Sequence, residues 1–460
     1  MKKLLTIAAC SLMLTSCGLY NKYHRSDEVN TKGLIRDLVS DTDTLQVNSD
    51  ENFGNLPWRE VFTDPQLQAL IEKALENNTD LRNAALNVKM AEAQLTSSKL
   101  AFLPSVAFAP SGTLSSFDGA SPTKTYQLPV SASWNVDLFG NLLSAKRAAQ
   151  SALLGAKDYK VVVQTNIICG IANLYYTLMM LDEQLAIITD MTQLTKDTWD
   201  IMKLQMELGR VRSTGVQSAE ANYYSVLAQG VNLKRQIREA ENSMSLLLNE
   251  AGHQIQRGKL DQQSLPTNFS TGVGIQLLTN RADVHYAEMQ LAQCFYNVQS
   301  ARSRFYPGLT ITGTAMFTNS AGSVVINPGK WLLSAVGSLT QPIFQNGKLV
   351  AGLKVAKAKQ EQAYNTWQNT ILKAGNEVSN ALMLYNASEE RSQLEAKQVK
   401  VLEQNVQDTR QLYTSKGSSY LEIIQAQSSL LNARISKVTD DFTKMQAVVT
   451  LYQALGGGSK

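Results

Sequence analysis

The chain has 460 residues, 44% of them hydrophobic and 18% charged, and its net charge of +4 is small for that length. No cationic block stands out, which argues against nucleic acid as a partner. The three histidines are scattered, and there is no P-loop, Gly-x-Ser-x-Gly elbow or metal-spaced His/Cys/Asp cluster, so neither an enzyme nor a bound metal or other cofactor is expected.

Residues 1–16 read as a signal peptide. Met1-Lys2-Lys3 supplies the positive start, and the apolar run from Leu4 to Leu14 is too short to span a bilayer as a mature helix. The ending Leu14-Thr15-Ser16-Cys17 resembles the lipobox of bacterial lipoproteins, in which the cysteine is acylated and becomes the first residue; an ordinary signal with a chance cysteine is the plainer alternative. Gly18 follows in place of the aspartate that often retains lipoproteins at the inner membrane, so delivery to the outer membrane is favoured. Cys169 and Cys294 lie far apart in apolar helical contexts and read as core residues. No other 18-residue apolar stretch is evident, so any membrane crossing falls to strands.

Beyond an N-terminal segment at 17–57, a first repeat is expected over 58–250, with a β-hairpin at about 105–137. Tyr126, Leu128, Val130, Ala132, Trp134 and Val136 alternate with polar residues there, and Pro110 interrupts the preceding strand. A polar tip from Ser115 to Thr123 joins the two strands. No proline occurs between 143 and 265, and Leu174, Leu178, Leu181, Leu185 and Ile188 follow a coiled-coil seam. This predicts a helix over about 141–208, roughly 100 Å long. The chain turns through Gly209–Gly215, and a return helix follows over about 217–249.

After a linker at 251–275, a second repeat over 276–455 follows the same plan. Its hairpin, about 308–342, alternates through Leu309, Ile311, Gly313, Ala315 and Phe317, and then through Trp331, Leu333, Ala335, Gly337 and Leu339, around a polar tip from Thr318 to Gly329. Its long helix spans about 348–415, its turn is the shorter Gly417–Ser419, its return helix spans about 419–455, and a tail of 456–460 remains. Asp80, Ala84, Ser97, Phe102 and Pro104 recur 203 residues later as Asp283, Ala287, Ser300, Phe305 and Pro307, which identifies a duplication.

Ten-residue strands fit a tilted membrane barrel, although a half-buried soluble sheet shows the same alternation. Four strands cannot close a barrel, so the edges require other copies. Two chains would supply eight strands and three would supply twelve; the pattern does not choose between them.

The stretch Trp58-Arg59-Glu60-Val61-Phe62-Thr63-Asp64-Pro65, with Leu67, Leu70, Ile71, Asn77, Asn78 and Asp80 after it, resembles the opening of TolC-like outer-membrane efflux proteins, in particular their lipoprotein branch. Asp137-Leu138-Phe139-Gly140, Gln341-Pro342-Ile343-Phe344, Tyr420-Leu421-Glu422 and Leu451-Tyr452-Gln453-Ala454-Leu455-Gly456-Gly457-Gly458 extend that resemblance over the whole mature chain. It implies a mostly α-helical fold with a transmembrane β-barrel: a homotrimer sharing twelve strands, a periplasmic helical tunnel, and an equatorial belt to which 17–57, 251–275 and the tail contribute. It implies no cofactor beyond the lipid on Cys17.

The implied function is passive conduction of drugs or other solutes. The implied partners are outer-membrane lipid, a periplasmic adaptor and an inner-membrane transporter of the RND or ABC type. Gating would occur at the helix tips, where Glu422, Gln425, Ser418 and Tyr420 are candidates for the pore constriction. Gly209, Arg210, Arg212, Gly215, Lys416 and Gly417 are candidates for adaptor docking. A solvated helix face is the plain alternative for Glu422. An exit duct for type I protein secretion is the alternative function. A periplasmic adaptor lipoprotein, with one helical hairpin between β modules, fits the duplicated plan less well.

Overall fold

The computed structural model describes residues 20–25, 53–116, 118–263, 265–266, 281–321, 324–414 and 420–458. Cys17, Lys416, Gly417 and Ser418 lie outside the described residues. The chain divides into two units, each drawn from both repeats. One contains 1–30, 85–158 and 285–370, and the other contains 31–84, 159–284 and 371–460.

The elements in chain order are α1 (Pro65–Asn77), α2 (Thr79–Leu100), β1 (Ser105–Phe108), β2 (Ser111–Ser115), β3 (Thr123–Val136), α3 (Asn141–Glu207) and α4 (Ser213–Leu247). The second series is α5 (Ala282–Ser303), β4 (Gly308–Ala321), β5 (Val324–Thr340), α6 (Lys348–Thr414) and α7 (Tyr420–Ala454). A helical structure carrying one antiparallel sheet is the fold expected from the sequence.

In the first unit the sheet order is β1-β3-β4-β5, with β2 also on β3. β1 and β2 are one strand broken at Pro110, which has no N–H for the ladder. Register carries the alternation across the sheet. Phe108, Val130, Ala315 and Leu333 form one row, and Val106, Ala132, Gly313 and Ala335 the next. Ser131, Thr314 and Ser334 line up on the opposite face. The second polar tip is corrected: β4 and β5 run on to Ala321 and Val324, with a register shift between Thr318 and Ser320. The polar residues at 318–320 and Asn327 are strand residues, because alternation in a two-sided strand does not require apolar side chains at its outer end.

The repeat is also visible in the lengths of the elements. α2 and α5 each have 22 residues, α3 and α6 each have 67, and α4 and α7 each have 35. Asn141 and Lys348, like Ser213 and Tyr420, are 207 residues apart, so the offset grows from 203 to 207 across the hairpins. Five residues separate α3 from α4, so the first turn is shorter than the expected Gly209–Gly215, while the second, Gly417–Ser419, lies outside the described residues. Gly215, read as part of a turn, lies inside α4, where a Cβ would come within 3.1 Å of the Met202 methyl and 3.3 Å of the Tyr420 ring. It is a packing glycine.

In the second unit, the Trp58–Pro65 motif is core. Trp58, Val61 and Phe62 are buried. Asp64 caps α1 by accepting from Gln66 N at 2.8 Å, with Pro65 in the first turn. Asp64 also accepts from the Tyr175 hydroxyl at 2.7 Å. The terminal motif packs against the same region. Tyr452 makes edge contacts with Phe53 and Phe62 and donates to Leu56 O at 2.8 Å.

Gly456, at φ +81°, closes α7 in a Schellman cap, with Gly456 N on Gln453 O and Gly457 N on Tyr452 O. Asn249, 207 residues earlier, closes α4 the same way at φ +58°. The repeats correspond at the opposite end too. Asn78 Nδ2 donates to Leu247 O, and Arg281 Nη1 donates to Ala454 O.

One expectation about membrane crossing is also corrected. An 18-residue window of α3 reaches a mean hydropathy of 1.3, enough by length and composition to cross a membrane. Its Ile168, Ile171, Tyr175, Leu178 and Met179 are fully buried inside the chain, so it is also a core stretch.

Candidate functional site

Two surfaces stand out among the described residues. The first is the apolar face of the sheet. Trp331 is 72% exposed and Leu333 77%, and Phe108, Val106 and Leu339 are similarly open. A contiguous apolar face of this extent calls for lipid or protein cover. β1/β2 and β5 are the sheet's outer strands, so each leaves one edge unpaired by the sheet. Where β5 ends, Ile343 and Phe344 are also strongly exposed. The matching motif of the first repeat is tied down. Phe139 stacks on Tyr306 at 4.9 Å, and Asp137 accepts from Leu142 N and Leu143 N at the start of α3.

The second surface is the helix tip. α3 ends in a Schellman cap at Gly209, φ +68°, with Gly209 N on Met206 O and Arg210 N on Gln205 O. Arg212 occupies the N-cap position of α4 without a side-chain cap bond. Met202, Val216 and Ala219 form a small core there, joined by Trp199, Val211, Tyr420 and Ile424. Tyr420 therefore packs the two hairpins' ends together. Trp199 stacks on Tyr223 at 5.6 Å, and Lys203 Nζ sits 4.0 Å above its ring.

Arg210, Arg212, Glu422 and Gln425 are exposed, the last two one helical turn apart on α7. Gln425 Nε2 donates to Ser429 Oγ at 3.4 Å. The structure thus brings Tyr420 and Gly215 together and places Glu422 and Gln425 on an open face.

Sequence reading missed three groups. Arg257 bridges Asp182 of α3 and Glu241 of α4, Arg281 bridges Asp283 and Glu377, and a polar seam joins α6 to α7. No group of three or more metal-ligating side chains occurs among the described residues. The Cys169 thiol, fully buried in α3, is pushed up to about 12 by burial, which leaves it unreactive.

A family model described as outer membrane efflux protein matches residues 70–250 and 274–457. The chain is 27% identical over 451 residues to the cation efflux system protein CusC of Escherichia coli O157:H7, covering 97% of each chain. It is also 27% identical over 472 residues to the toluene efflux pump outer membrane protein TtgC of Pseudomonas putida, covering 99% of this chain and 96% of that protein. A crystal structure of CusC, described in terms of folding and transmembrane channel formation, matches with a TM-score of 0.82 at 25% sequence identity. That match covers 95% of this chain and 99% of the other.

Proposed function

The chain belongs to the outer membrane efflux protein family, and from that premise we propose that three copies close one twelve-stranded barrel and conduct solutes from an adaptor and an inner-membrane transporter. The protein is the outer-membrane channel of an efflux system, extending into the periplasm. The observation that carries the proposal is the four-stranded sheet with one exposed apolar face and an unpaired edge on each side. Four strands satisfy neither edge, and closure by neighbouring copies satisfies both. Exposed Ile343 and Phe344, where β5 ends, fit the place where the next copy would pack.

Purified in detergent, the protein is expected to run as a trimer, to conduct in planar bilayers, and to carry a diacylated and N-acylated Cys17 by mass. A monomer without conductance would refute the reading. The names of the relatives span cations and toluene, so the cargo class follows the inner-membrane partner in this proposal.

At the tip, exposed Arg210 and Arg212 offer the adaptor a basic rim, and Glu422 and Gln425 on the open face of α7 line the constriction in this proposal. A unit charge at 4 Å in water contributes about 1 kcal/mol. Glu422→Ala should therefore lower the cation-to-anion permeability ratio on the order of fivefold. Reversal potentials in asymmetric salt measure this, and an unchanged ratio returns Glu422 to a solvated face.

A further inference from the structure

The two helical hairpins match in length but differ in what holds their helices together. Midway along the first, Ile188 of α3 is 2% exposed and Leu233 of α4 is 8% exposed. A Cβ on Gly230 of α4 would come within 3.2 Å of Ile188 Cγ2, so this contact is apolar and close. The residues 207 positions later are Glu395 of α6 and Asp440 of α7. The change extends along the seam. Leu181 and Leu185 become Ser388 and Ser392, and Ser392 Oγ donates to Asp441.

Asp440 is 5% exposed, yet among the described residues its Oδ2 and the Oε2 of Glu395 find no hydrogen-bond donor. Among the described residues one cation serves both carboxyls. Arg391 Nε lies 3.1 Å from Asp440 Oδ2, off line for a hydrogen bond, and Arg391 Nη2 lies 3.5 Å from Glu395 Oε1. Arg391 is itself mostly in solvent, which weakens its hold. The neighbouring charges are engaged elsewhere: Lys437 with Asp441, Lys444 with Glu389, and Arg434 with Glu403. From α3 the facing group is neutral, since Gln184 Nε2 donates to Thr439 Oγ1 at 3.1 Å.

Two ionised carboxylates at a buried contact with one screened guanidinium are unfavourable, and a proton on Glu395 removes the conflict. We propose that Glu395 carries a proton and donates it in a hydrogen bond to Asp440 across the α6–α7 contact, forming a pH-sensitive clasp on the second hairpin that the first hairpin lacks. Burial, reinforced by Asp440 and opposed by Arg391, raises the Glu395 pKa above its usual 4.5. The folded chain therefore binds this proton more tightly than the unfolded one. The stabilisation is complete below 4.5 and is lost as pH rises through the raised folded value. The consequence for gating rests on the channel reading: α7 carries Glu422 and Gln425, so periplasmic pH would act through this clasp on the hairpin that bears them.

Glu395→Gln mimics the protonated carboxyl and can still donate to Asp440. In thermal melts of the trimer between pH 4.5 and 8, its melting temperature should match the wild type at the acid end. It should exceed the wild type by about 2 °C at the alkaline end. A difference that stays constant with pH overturns the proposal. The double variant Glu395→Ile/Asp440→Leu, which copies the first hairpin, should likewise show no alkaline deficit, and it keeps the test open if the single variant does not assemble. Melting requires no conduction, so this test can fail while the channel reading stands, and bilayer conductance tests the latter separately.

Discussion

Leu333→Arg should abolish trimer assembly in the outer membrane, whereas Ser334→Arg, one residue along β5, should leave it intact. The contrast follows from pleat geometry. Leu333 pairs with Ala315 in the apolar row and is 77% exposed, while Ser334 pairs with Thr314 in the polar row. An arginine on the lipid face near the bilayer midplane costs about 2–4 kcal/mol, a factor of roughly 30 to 1,000 in equilibrium per chain. Three chains share the barrel in this reading, so the cost is incurred three times. On the lumen face the same side chain remains in water and costs little. Membrane fractionation with a heat-modifiable trimer band measures both variants. Equal loss in both would mean that the polar face is also packed, and equal tolerance would mean that the apolar face does not meet lipid.

The duplication was readable where side chains are shared and hidden where they are not. Asp80 and Asp283 stand in the first turn of α2 and α5, where a carboxylate suits the helix N-terminus, and Phe102 and Phe305 precede a strand in both copies, their carbonyls accepting equivalent bonds from Trp134 and Gln341. The correspondence of α3 with α6 is invisible to residue matching, since Leu178, Leu181 and Leu185 became Tyr385, Ser388 and Ser392. Only backbone length preserves it. Pro110 reported its own break correctly because a missing N–H acts locally. Gly215 misled because a glycine that admits a neighbouring helix looks, in sequence, like one that ends a helix.

The candidate gate was legible only in part. The exposed positions of Glu422 and Gln425 follow from helical spacing. The packing of Tyr420 on Met202 and Val216 depends on a contact 204 or more residues distant in the chain. No local pattern encodes such a contact. The ion clusters around Arg257 and Arg281 were missed for the same reason, because each joins segments far apart in sequence.

Arg257→Met is expected to be the most destabilising single substitution in the second unit. Arg257 Nη1 donates to Glu241 at 2.8 Å and to Ile255 O at 2.9 Å, while Nη2 donates to Asp182 at 2.9 Å. The loop at 251–260 is thereby fixed to both α3 and α4. Asp182 is half-exposed and can turn to water when the arginine is lost. Glu241 cannot, because it is 6% exposed and has no alternative cation among the described residues. Removing one partner of a buried pair leaves an uncompensated charge and costs about 3–5 kcal/mol. Replacing both partners by apolar residues of similar volume is often neutral. Arg257→Met should therefore lower the melting temperature sharply, and Arg257→Met/Glu241→Leu should recover most of the loss. Additive losses in the double variant would refute the argument, since they would assign the stability to packing of the arginine stem and not to the charge it neutralises.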